Sequence, residues 1–387
     1  MTKKSHRIAF TLLAVGLAVI LVLLLTYAGG RAKGPFESLF SWMGSLVHSA
    51  ESSLILDRRN GNRTERLSWL NRDRNLRESL LRPKVILLGA FDNESAESFE
   101  SIVNFEASLG VIFPLIHLYS AWGSKHDQKF PELSANAVSA MGSVPVITWE
   151  PWLTDFTDED IPGLKPGELR DLHGMKDVAA ELYDQYILGW AMTARKYGKP
   201  IFLRMGHEMN DPYRYPWGPQ NNTAEEFKAA WRHVWNVFRA AGTDNVIWIW
   251  SPHPAYGYFK EYYPGDGYVD FIGVGALNYG NVAAWSKWWT FDEIFGKHYP
   301  ALAAFGKPIM ITEFGSLNTG GDRKEWYEQA AASLPAKYPQ VKALIFFHYS
   351  KDLTTTQQPL NWYIKNDTAV IRALGRQIRN WPDSVKK

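Results

Sequence analysis

Short apolar runs rich in Val, Ile and Phe alternate with longer amphipathic stretches from Lys84 onward. Short continuous apolar runs are typical of buried strands, and an apolar stripe at helical spacing is typical of a helix packed on a sheet. We predict eight strands, at 85–91, 111–118, 144–149, 201–205, 246–250, 271–274, 309–312 and 343–347. The clearest helices are predicted at 178–197, 224–241, 323–338 and 368–379.

Buried strands separated by helices predict a parallel sheet covered on both faces. Eight such units close into a (β/α)8 barrel, the TIM barrel, so we predict one α/β domain of this class over residues 84–387. An open doubly wound sheet is the alternative. It is disfavoured because no Gly-x-Gly-x-x-Gly follows the first strand, where the chain reads GAFD at 89–92.

The N-terminus shows a different pattern. Residues 8–28 are 21 uncharged and mostly apolar residues, preceded by a basic cluster at 3–7. As a helix, this run would span about 30 Å of hydrocarbon. We predict a single transmembrane helix before the barrel, with residues 1–7 in the cytoplasm and the remainder outside it, periplasmic or extracellular. A cleavable signal peptide is the alternative, because small residues follow at 28–30.

Residues 29–83 lack strong alternation, and 57–82 hold eight arginines among Asn, Gly and Ser. We predict a solvated stalk with a short helix near 67–81, in preference to a patch that binds polyanions or lipid headgroups. The whole chain has 42 Lys and Arg against 40 Asp and Glu, a net charge of +2. This balance disfavours nucleic acid as a partner, because no global basic field is available to hold one.

The composition narrows the chemistry further. The chain is 46% hydrophobic and can therefore bury a large core. The absence of cysteine excludes disulfides, thiolate nucleophiles and iron–sulfur clusters. Its 17 Trp, 18 Tyr and 20 Phe supply flat faces of the kind that stack on sugar rings or nucleobases.

Polar and aromatic residues follow the predicted strands at their carboxyl ends, which form the functional face of a TIM barrel. Glu208 after strand 4 and Glu313 after strand 7 are expected nearly across the same rim. Two opposed carboxylates suit an acid and a nucleophile on the two sides of one bond. The other candidates at these ends are Trp149, Glu150, Trp152, His207, Asn210, Trp217, Trp250, Tyr279 and His348.

Four segments carry a family resemblance. FLRMGHEMN at 202–210, with YPWG at 215–218, resembles the acid/base signature of glycoside hydrolase family 26. This family contains mannanases and mixed-linkage glucanases and belongs to the retaining barrel clan A. ITEFG at 311–315 resembles its nucleophile strand, and ITWEPW at 147–152 and IWIWSP at 247–252 resemble two further segments. The four occur in the expected order across about residues 84–380.

The resemblance implies that Glu208 is the general acid/base and Glu313 the nucleophile of a retaining reaction. It also implies that His207 contacts the sugar at the reacting subsite and that Tyr279 orients the nucleophile. We expect burial among aromatics and the charge of Glu313 to raise the pKa of Glu208. The remaining expected substrate contacts are polar groups and stacking rings, at Trp149, Glu150, Trp152, Asn210, Trp217, Trp250 and His348.

A metal hydrolase is disfavoured. The His207-Glu208 pair could begin a His-Glu-x-x-His motif, but residue 211 is Asp and Pro212 breaks the helix that the motif needs. A three-histidine site of His207, His253 and His348 is likewise disfavoured, since no His-x-His pair follows strand 1. We therefore expect neither metal nor other cofactor.

The predicted function is a membrane-anchored retaining endo-β-glycosidase that acts on a polysaccharide. The segment 149–152 looks more like the glucanase-type members, which favours a β-1,4 or mixed β-1,3/1,4 glucan over mannan. A polysaccharide synthase or export complex is a candidate protein partner. The alternative is a catalytically silent barrel that binds glycan within an exopolysaccharide synthesis or secretion assembly.

Overall fold

Eight parallel strands form a closed barrel in the computed structural model, which describes residues 63–73, 75–96, 99–283, 286–353 and 358–382. Each strand pairs with the next in sequence, and the eighth pairs back to the first. The predicted barrel is therefore confirmed. The strands are β1 (Leu87–Asp92), β2 (Leu115–Ala121), β3 (Val144–Glu150), β4 (Ile201–Met205), β5 (Val246–Trp250), β6 (Phe271–Asn278), β7 (Ile309–Ser316) and β8 (Val341–His348).

Three short helices precede the first strand, further helices connect the barrel strands, and one helix follows the last strand. They are α1 (Arg63–Arg66), α2 (Ser68–Asn71), α3 (Leu76–Leu81), α4 (Glu100–Leu109), α5 (Glu132–Ala140), α6 (Gly174–Ala179), α7 (Asp184–Tyr197), α8 (Ala224–Ala240), α9 (Phe259–Tyr262), α10 (Tyr299–Ala303), α11 (Arg323–Lys337) and α12 (Thr368–Arg379). Short 3-10 helices lie at Asn93–Ala96, His126–Gln128, Leu153–Asp155, Gly167–Leu169, Pro254–Tyr256 and Asp266–Tyr268, and a π-helix at Asp292–Gly296. Two short strands, β9 (Ser350–Asp352) and β10 (Leu360–Asn361), form a hairpin after the barrel.

The helix between β4 and β5 shows how the sequence sets these elements. Thr223 caps α8, because its hydroxyl accepts from the Glu226 amide while the Glu226 carboxylate accepts from the Thr223 amide. The buried residues of α8 recur at helical spacing and face the barrel. The helix predicted at 178–197 is divided into α6 and α7, and Glu181 between them has a positive φ of 72°.

The lumen of the barrel has an apolar lower part and a polar upper part. Inward side chains from all eight strands fill the lower part, among them Leu115, Phe202 and Met310. Above them the inward positions become polar, and His117, Thr148, Arg204 and Thr312 are at most 1% exposed. A buried polar layer beneath the carboxyl ends of the strands therefore supports the rim where function is expected.

The described residues between 63 and 81 pack against the barrel, so the prediction of a solvated stalk is wrong for this part of 29–83. Leu70 and Leu80 are 1% exposed and belong to the core that fills the lower lumen. Arg63 is 1% exposed and forms a two-pronged ion pair with Glu106 of α4, at 2.9 and 3.1 Å. The high arginine content suggested a solvated segment, whereas the leucines and this buried pair anchor it.

No helix within the described ranges is both long and apolar enough to cross a bilayer. The predicted cytoplasmic residues 1–7, the predicted anchor 8–28 and the predicted stalk as far as residue 62 all lie outside the described residues.

Candidate active site

Glu208 lies in a tight turn directly after β4. Its φ is 54°, in the left-handed region, which costs a residue other than glycine roughly 1–2 kcal/mol. Backbone hydrogen bonds hold the turn: the Glu208 amide donates to the Ser251 carbonyl at 2.7 Å, and the Asp211 amide donates to the Glu208 carbonyl at 2.9 Å. The carboxyl side chain is thereby fixed at the mouth of the barrel, and the residue is 5% exposed. Backbone strain of this kind is concentrated at functional sites.

Glu313 reaches the lumen through an irregularity in β7. On the β6 side Val274 pairs with Ile311 and Gly275 with Glu313, so Thr312 has no opposite residue. The extra residue is a β-bulge, which lets two consecutive side chains enter the lumen instead of one. Both contact the same guanidinium: Arg204 donates to the Thr312 hydroxyl at 3.0 Å and to Glu313 Oε1 at 2.6 Å.

The two glutamates face each other across Gly275 of β6. A Cβ on this glycine would lie 3.6 Å from Glu208 Oε1 and 3.9 Å from Glu313 Oε2. The distance between these two carboxylate oxygens therefore cannot exceed the sum of the two distances from that Cβ position. Because Gly275 has no side chain, the space between the carboxylates stays open.

The surroundings of Glu313 keep it ionised. Burial alone would raise the pKa of Glu313, but the charge of Arg204 and hydrogen bonds from Tyr119 and Arg204 hold this pKa well below its usual range. Both donors bind Oε1, since the Tyr119 hydroxyl also donates to it at 2.6 Å. The other oxygen, Oε2, lies towards Gly275 and is the atom on the Glu208 side.

The surroundings of Glu208 act in the opposite direction. Burial raises the pKa of Glu208 to about 7 against the charge of Arg214, and the charge of Glu313 adds to the rise. Arg214 Nη1 lies 3.3 Å from Glu208 Oε2 and therefore limits the increase. Glu208 thus keeps its proton up to about neutral pH, where the neighbouring Glu313 is already ionised, as expected of an acid and a nucleophile.

Two residues that hold the nucleophile were not among the predicted site residues. Tyr119 lies on β2 and Arg204 on β4, and both bind Glu313 Oε1. Arg204 also donates to the Thr148 hydroxyl at 2.7 Å, which ties β3 into the same network. Strand alternation could have indicated Tyr119, because it stands two residues after inward-facing His117. Arg204 precedes Glu208 by four residues, but its ion pair is with Glu313.

His207, Glu150 and Trp152 gather beside Glu208, as predicted for a substrate site. His207 Nε2 lies 2.9 Å from the Tyr215 hydroxyl and 4.0 Å from Glu150 Oε1. Burial and the nearby charge of Arg204 lower the pKa of His207 well below its usual range, so the ring is neutral. The Trp152 indole donates to Glu150 Oε2 at 3.1 Å. Their roles towards a sugar remain predictions.

Trp217 supports this cluster from behind. It is 1% exposed and stacks on Tyr215 at 4.6 Å with an interplanar angle of 11°. Its indole donates to the His207 carbonyl at 2.7 Å. The predicted sugar-stacking role is therefore wrong for Trp217, because the ring has no open face and instead fixes the backbone of His207.

Three further predicted contacts point away from the lumen. Trp149 and Trp250 are 0% exposed and pack among aromatic residues outside the barrel, Trp149 on Trp190 and Trp250 on Tyr263. His348 is 2% exposed and packs on Phe105 of α4 at 4.3 Å. Because strand residues alternate between faces, each follows an inward neighbour and faces outward itself. The substrate-binding predictions for these three residues are wrong.

Asn210 is also buried, at 2% exposure, and its amide is fully used by the neighbouring loop. Its Nδ2 donates to the carbonyls of His253 at 2.9 Å and Gly257 at 2.8 Å. Its Oδ1 accepts from the His253 amide at 2.7 Å. The prediction of a sugar contact is therefore wrong, and Asn210 braces the loop after β5 against the turn that carries Glu208.

Tyr279 follows the carboxyl end of β6, at the rim where it was predicted. It is 8% exposed and meets Trp362 edge-on at 4.9 Å, within an apolar cluster that includes Phe347 and Leu360. The phenol seen to donate to Glu313 is that of Tyr119. The orienting role of Tyr279 stays a prediction.

Among the described residues, one group has side chains of the kind that bind metals, namely Glu208, Asp211 and His253, with candidate ligand atoms within 4.8 Å of one another. The Arg214 guanidinium lies 3.3 Å from the Glu208 carboxylate and would repel a cation there. The arrangement therefore suits proton transfer by Glu208 better than metal ligation.

Comparison with known proteins gives a consistent assignment. Residues 145–316 match the family Glycosyl hydrolase family 26. Endoglucanase H of Acetivibrio thermocellus is 34% identical over 264 residues, which are 66% of this chain and 27% of that protein. A mannan endo-1,4-β-mannosidase of Bacillus subtilis is 26% identical over 151 residues, 37% of each chain. The chain thus spans well under half the length of these relatives.

A solved structure shares the fold of this chain. The catalytic domain of an endo-β-1,4-mannanase from Bacillus sp. JAMB-750 superposes with a TM-score of 0.58 at 15% identity, over 83% of this chain and 90% of that one. At this identity the likeness concerns the fold alone. The family match includes β3 to β7, and with them both central glutamates and the bulged strand. On these grounds the chain belongs to glycoside hydrolase family 26.

Proposed function

We propose that this chain is a β-glycoside hydrolase that cuts a β-linked polysaccharide internally, with retention of anomeric configuration. One observation carries the proposal: two buried carboxyl groups flank Gly275, and their surroundings shift the two pKa values in opposite directions. Glu208 serves as the acid/base and Glu313 as the nucleophile. Membership of the family and its similarity to an endoglucanase and a mannosidase support this assignment.

The first half of the reaction requires a proton and an attacking carboxylate. Glu313 Oε2 attacks the anomeric carbon while protonated Glu208 donates its proton to the departing oxygen. The bond between the anomeric carbon and this oxygen breaks, and a covalent glycosyl ester forms on Glu313. Arg204 and Tyr119 hold the other oxygen of Glu313, so the attacking atom is already directed to the gap above Gly275.

The second half reverses the role of Glu208. Esterification removes the charge of Glu313, which is one of the causes that raise the pKa of Glu208. With that charge gone and Arg214 still at 3.3 Å, the proton affinity of Glu208 decreases. The Glu208 carboxylate can then accept a proton from water as the water oxygen attacks the anomeric carbon, and the ester bond to Glu313 breaks.

A glucan is the favoured substrate within this proposal. The match to an endoglucanase is longer and of higher identity than the match to a mannosidase, 34% over 264 residues against 26% over 151. We therefore expect β-1,4 or mixed β-1,3/1,4 glucan to be cut faster than mannan. A matched panel of cellulose-derived, mixed-linkage and mannan oligosaccharides tests the preference through their kcat/KM values.

We further propose that residues 8–28 tether the enzyme to the cell membrane, with the barrel outside the cytoplasm. The support is the apolar run of 21 residues behind a basic cluster. Cell fractionation, followed by protease treatment of intact cells or spheroplasts, tests both parts. Recovery of the full chain in the soluble fraction, or protection of the barrel from protease, would contradict the tether or the orientation.

The catalytic assignment is tested by comparing the wild type with Glu208→Ala and Glu313→Ala in a reducing-sugar assay. Each substitution should lower kcat by about 10²- to 10⁴-fold or more. Glu65→Ala, an exposed position in α1, is the matched control and should retain wild-type activity. Azide should rescue Glu313→Ala with an inverted glycosyl azide and Glu208→Ala with the retained one. Unreduced hydrolysis by either variant would falsify the assignment, and sugar binding without hydrolysis by the wild type would indicate a silent barrel.

A further inference from the structure

Two fully buried side chains in the polar layer of the lumen have no step in the reaction described above. They are His117 of β2 and Thr148 of the neighbouring β3, and neither has any exposed surface. His117 Nε2 lies 2.6 Å from the Thr148 hydroxyl oxygen, so the two side chains share a hydrogen bond. A polar pair buried at this depth is retained at a cost unless its bonds do something for its neighbours.

This pair contacts both side chains that hold Glu313 Oε1. The Thr148 hydroxyl accepts a hydrogen bond from Arg204 Nε at 2.7 Å, and Nη2 of the same guanidinium donates to Glu313 Oε1 at 2.6 Å. The His117 ring packs on the Tyr119 ring with centroids 4.7 Å apart. The Tyr119 hydroxyl is the second donor to Glu313 Oε1, also at 2.6 Å. One buried pair therefore supports both donors.

The donors available set the direction of these hydrogen bonds. Arginine only donates, so Thr148 accepts from Arg204 and its own hydroxyl proton is free to be donated to His117 Nε2. Burial and the charge of Arg204 lower the pKa of His117 well below its usual range, so the ring is neutral and its proton lies on Nδ1. The reverse direction would leave the Thr148 proton as well as Nδ1 without a partner among the described residues, whereas this one leaves Nδ1 alone.

Anchoring one edge of a guanidinium directs its other edge, because the group is planar and its donors form a fixed fork. Arg204 Nε is held by Thr148 at 2.7 Å and Nη1 by Thr312 at 3.0 Å. Nη2 is thereby directed at Glu313 Oε1, which leaves Oε2 directed at the gap above Gly275. Small displacements of an attacking atom are costly, since attack requires a close and aligned approach.

We propose that His117 and Thr148 are positioning residues that hold the nucleophile Glu313 in line for attack. They act through Arg204 and Tyr119, the two side chains that donate to its Oε1. Their role rests on the proposed function and adds to it two residues outside the reacting pair. Thr148 fixes the guanidinium, and His117 fixes both the Thr148 hydroxyl and the Tyr119 ring.

The main test is Thr148→Val, which nearly keeps the shape of the side chain and removes its hydroxyl. On a β-glucan or mannan that the wild type cuts, kcat should fall by about tenfold or more with KM nearly unchanged, because a hydrogen bond to a charged group is lost while the substrate contacts remain. Thr148→Ser restores the hydroxyl and should retain at least half of the wild-type kcat. His117→Phe keeps the ring on Tyr119 but loses the acceptor, so kcat should fall by a smaller factor. Because His117→Phe acts through Thr148, the double variant should lose no more than Thr148→Val alone.

A trapping experiment locates the effect at Glu313. A dinitrophenyl 2-deoxy-2-fluoro-β-glycoside needs no proton from Glu208: Glu313 Oε2 bonds to the anomeric carbon, dinitrophenolate departs with the bonding electrons, and the glycosyl ester accumulates. Mass spectrometry of peptides that contain Glu313 measures its rate of formation. Thr148→Val should form the ester at least tenfold more slowly than the wild type. An equal trapping rate would overturn the proposal, since any loss of kcat would then lie in proton transfer by Glu208.

Thr243→Val is the matched control for the loss of a buried threonine hydroxyl. Thr243 is 4% exposed, and its hydroxyl donates to the Ala191 carbonyl of α7 at 3.0 Å, outside the barrel. This variant should lose thermal stability but keep kcat, KM and the trapping rate. An equal loss of kcat in Thr243→Val, or in Thr148→Ser, would overturn the positioning role. If Thr148→Val does not fold, His117→Phe is tested in its place, and unchanged kcat and trapping there would overturn it as well.

The proposed function and the positioning role can fail separately. If the wild type neither cuts a polysaccharide nor forms the ester, the hydrolase proposal fails. Crystal structures of the wild type and Thr148→Val then test the positioning role without any activity. A guanidinium displaced from Glu313 Oε1 in the variant supports it, and an unchanged contact overturns it.

Discussion

The buried ion pair of Arg63 and Glu106 predicts that the barrel depends on the helical segment before its first strand. Both side chains are 1% exposed. Beyond Glu106, Arg63 donates to the Phe113 carbonyl at 3.1 Å, to the Ser143 hydroxyl at 2.7 Å and to the Met141 carbonyl. Arg63→Met removes all these donors and leaves the Glu106 carboxylate buried with the Phe113 amide at 2.7 Å as its remaining donor among the described contacts.

An uncompensated buried charge costs about 3–5 kcal/mol of unfolding free energy when one partner of such a pair is removed. This is a large part of the roughly 5–15 kcal/mol that stabilises a typical domain. Because the urea dependence grows with the surface exposed on unfolding and a barrel of this size lies at or above the roughly 3 kcal/mol per molar that bounds small proteins, the unfolding midpoint should fall by about 1 M. Equilibrium unfolding in urea, followed by tryptophan fluorescence, measures the loss.

The double variant Arg63→Met/Glu106→Met is the discriminating control. It removes both charges, and replacing a whole buried pair by apolar residues is often close to neutral. We expect it to recover at least half of the stability that Arg63→Met loses. A loss below about 1 kcal/mol in the single variant, or a double variant no more stable than the single one, would refute the reasoning. By the same argument, a fragment that begins at residue 84 should fail to fold stably.

Four further outcomes follow from the site. Gly275→Ala should fold, because its Cβ meets both carboxylates at ordinary contact distance. It should nevertheless lower kcat/KM by about tenfold or more, because the added methyl narrows the gap between the carboxylates. The control Gly273→Ala, whose Cβ would lie 2.7 Å from the Ser251 side chain, should instead lose stability in thermal melts. The kcat/KM profile should fall as pH rises above about 7, where Glu208 loses its proton, and Arg214→Met should move that limb to higher pH; an unmoved limb contradicts the role of Arg214. Above pH 4.5 the unfolded chain releases the Glu208 proton, whereas the folded chain keeps it up to a pH of about 7. The contribution of Glu208 to the free energy of unfolding should therefore decline from pH 4.5 to about 7. Urea titrations of Glu208→Gln should lack that decline. Removing the hydroxyl donor with Tyr119→Phe should reduce kcat by about tenfold with little change in KM, and an unchanged kcat would show that this bond does not assist the nucleophile.

The closed barrel could be predicted because each strand is a continuous apolar run buried on both faces. The same signal placed Glu208 and Glu313 at one rim, since the carboxyl ends of parallel strands meet there. The direction of each side chain was harder to predict. Thr148 and Glu150 face inward, whereas Trp149 faces outward. Strict alternation along β3 would have assigned Trp149 to the opposite face from its two neighbours.

Other features depend on contacts that no local pattern contains. The bulge in β7 breaks the alternation, so the inward position of Glu313 does not follow from that of Thr312. Arg204 and Glu313 are 109 residues apart, and their contact depends on the register around the whole barrel. Likewise, the charge-rich segment that contains Arg63 resembles a linker until its partner in α4 is known.

The bulged strand also limits how this chemistry could be transferred to another scaffold. A regular strand offers every second side chain to the lumen, so it could supply either the hydroxyl of Thr312 or the carboxylate of Glu313 to Arg204, but not both. Grafting the side chains alone onto an ideal barrel would leave the buried Arg204 guanidinium without one of the four side chains that accept its hydrogen bonds here, Tyr119, Thr148, Thr312 and Glu313. An engineer would need to copy the backbone defect together with the residues, because here the defect is part of the catalyst.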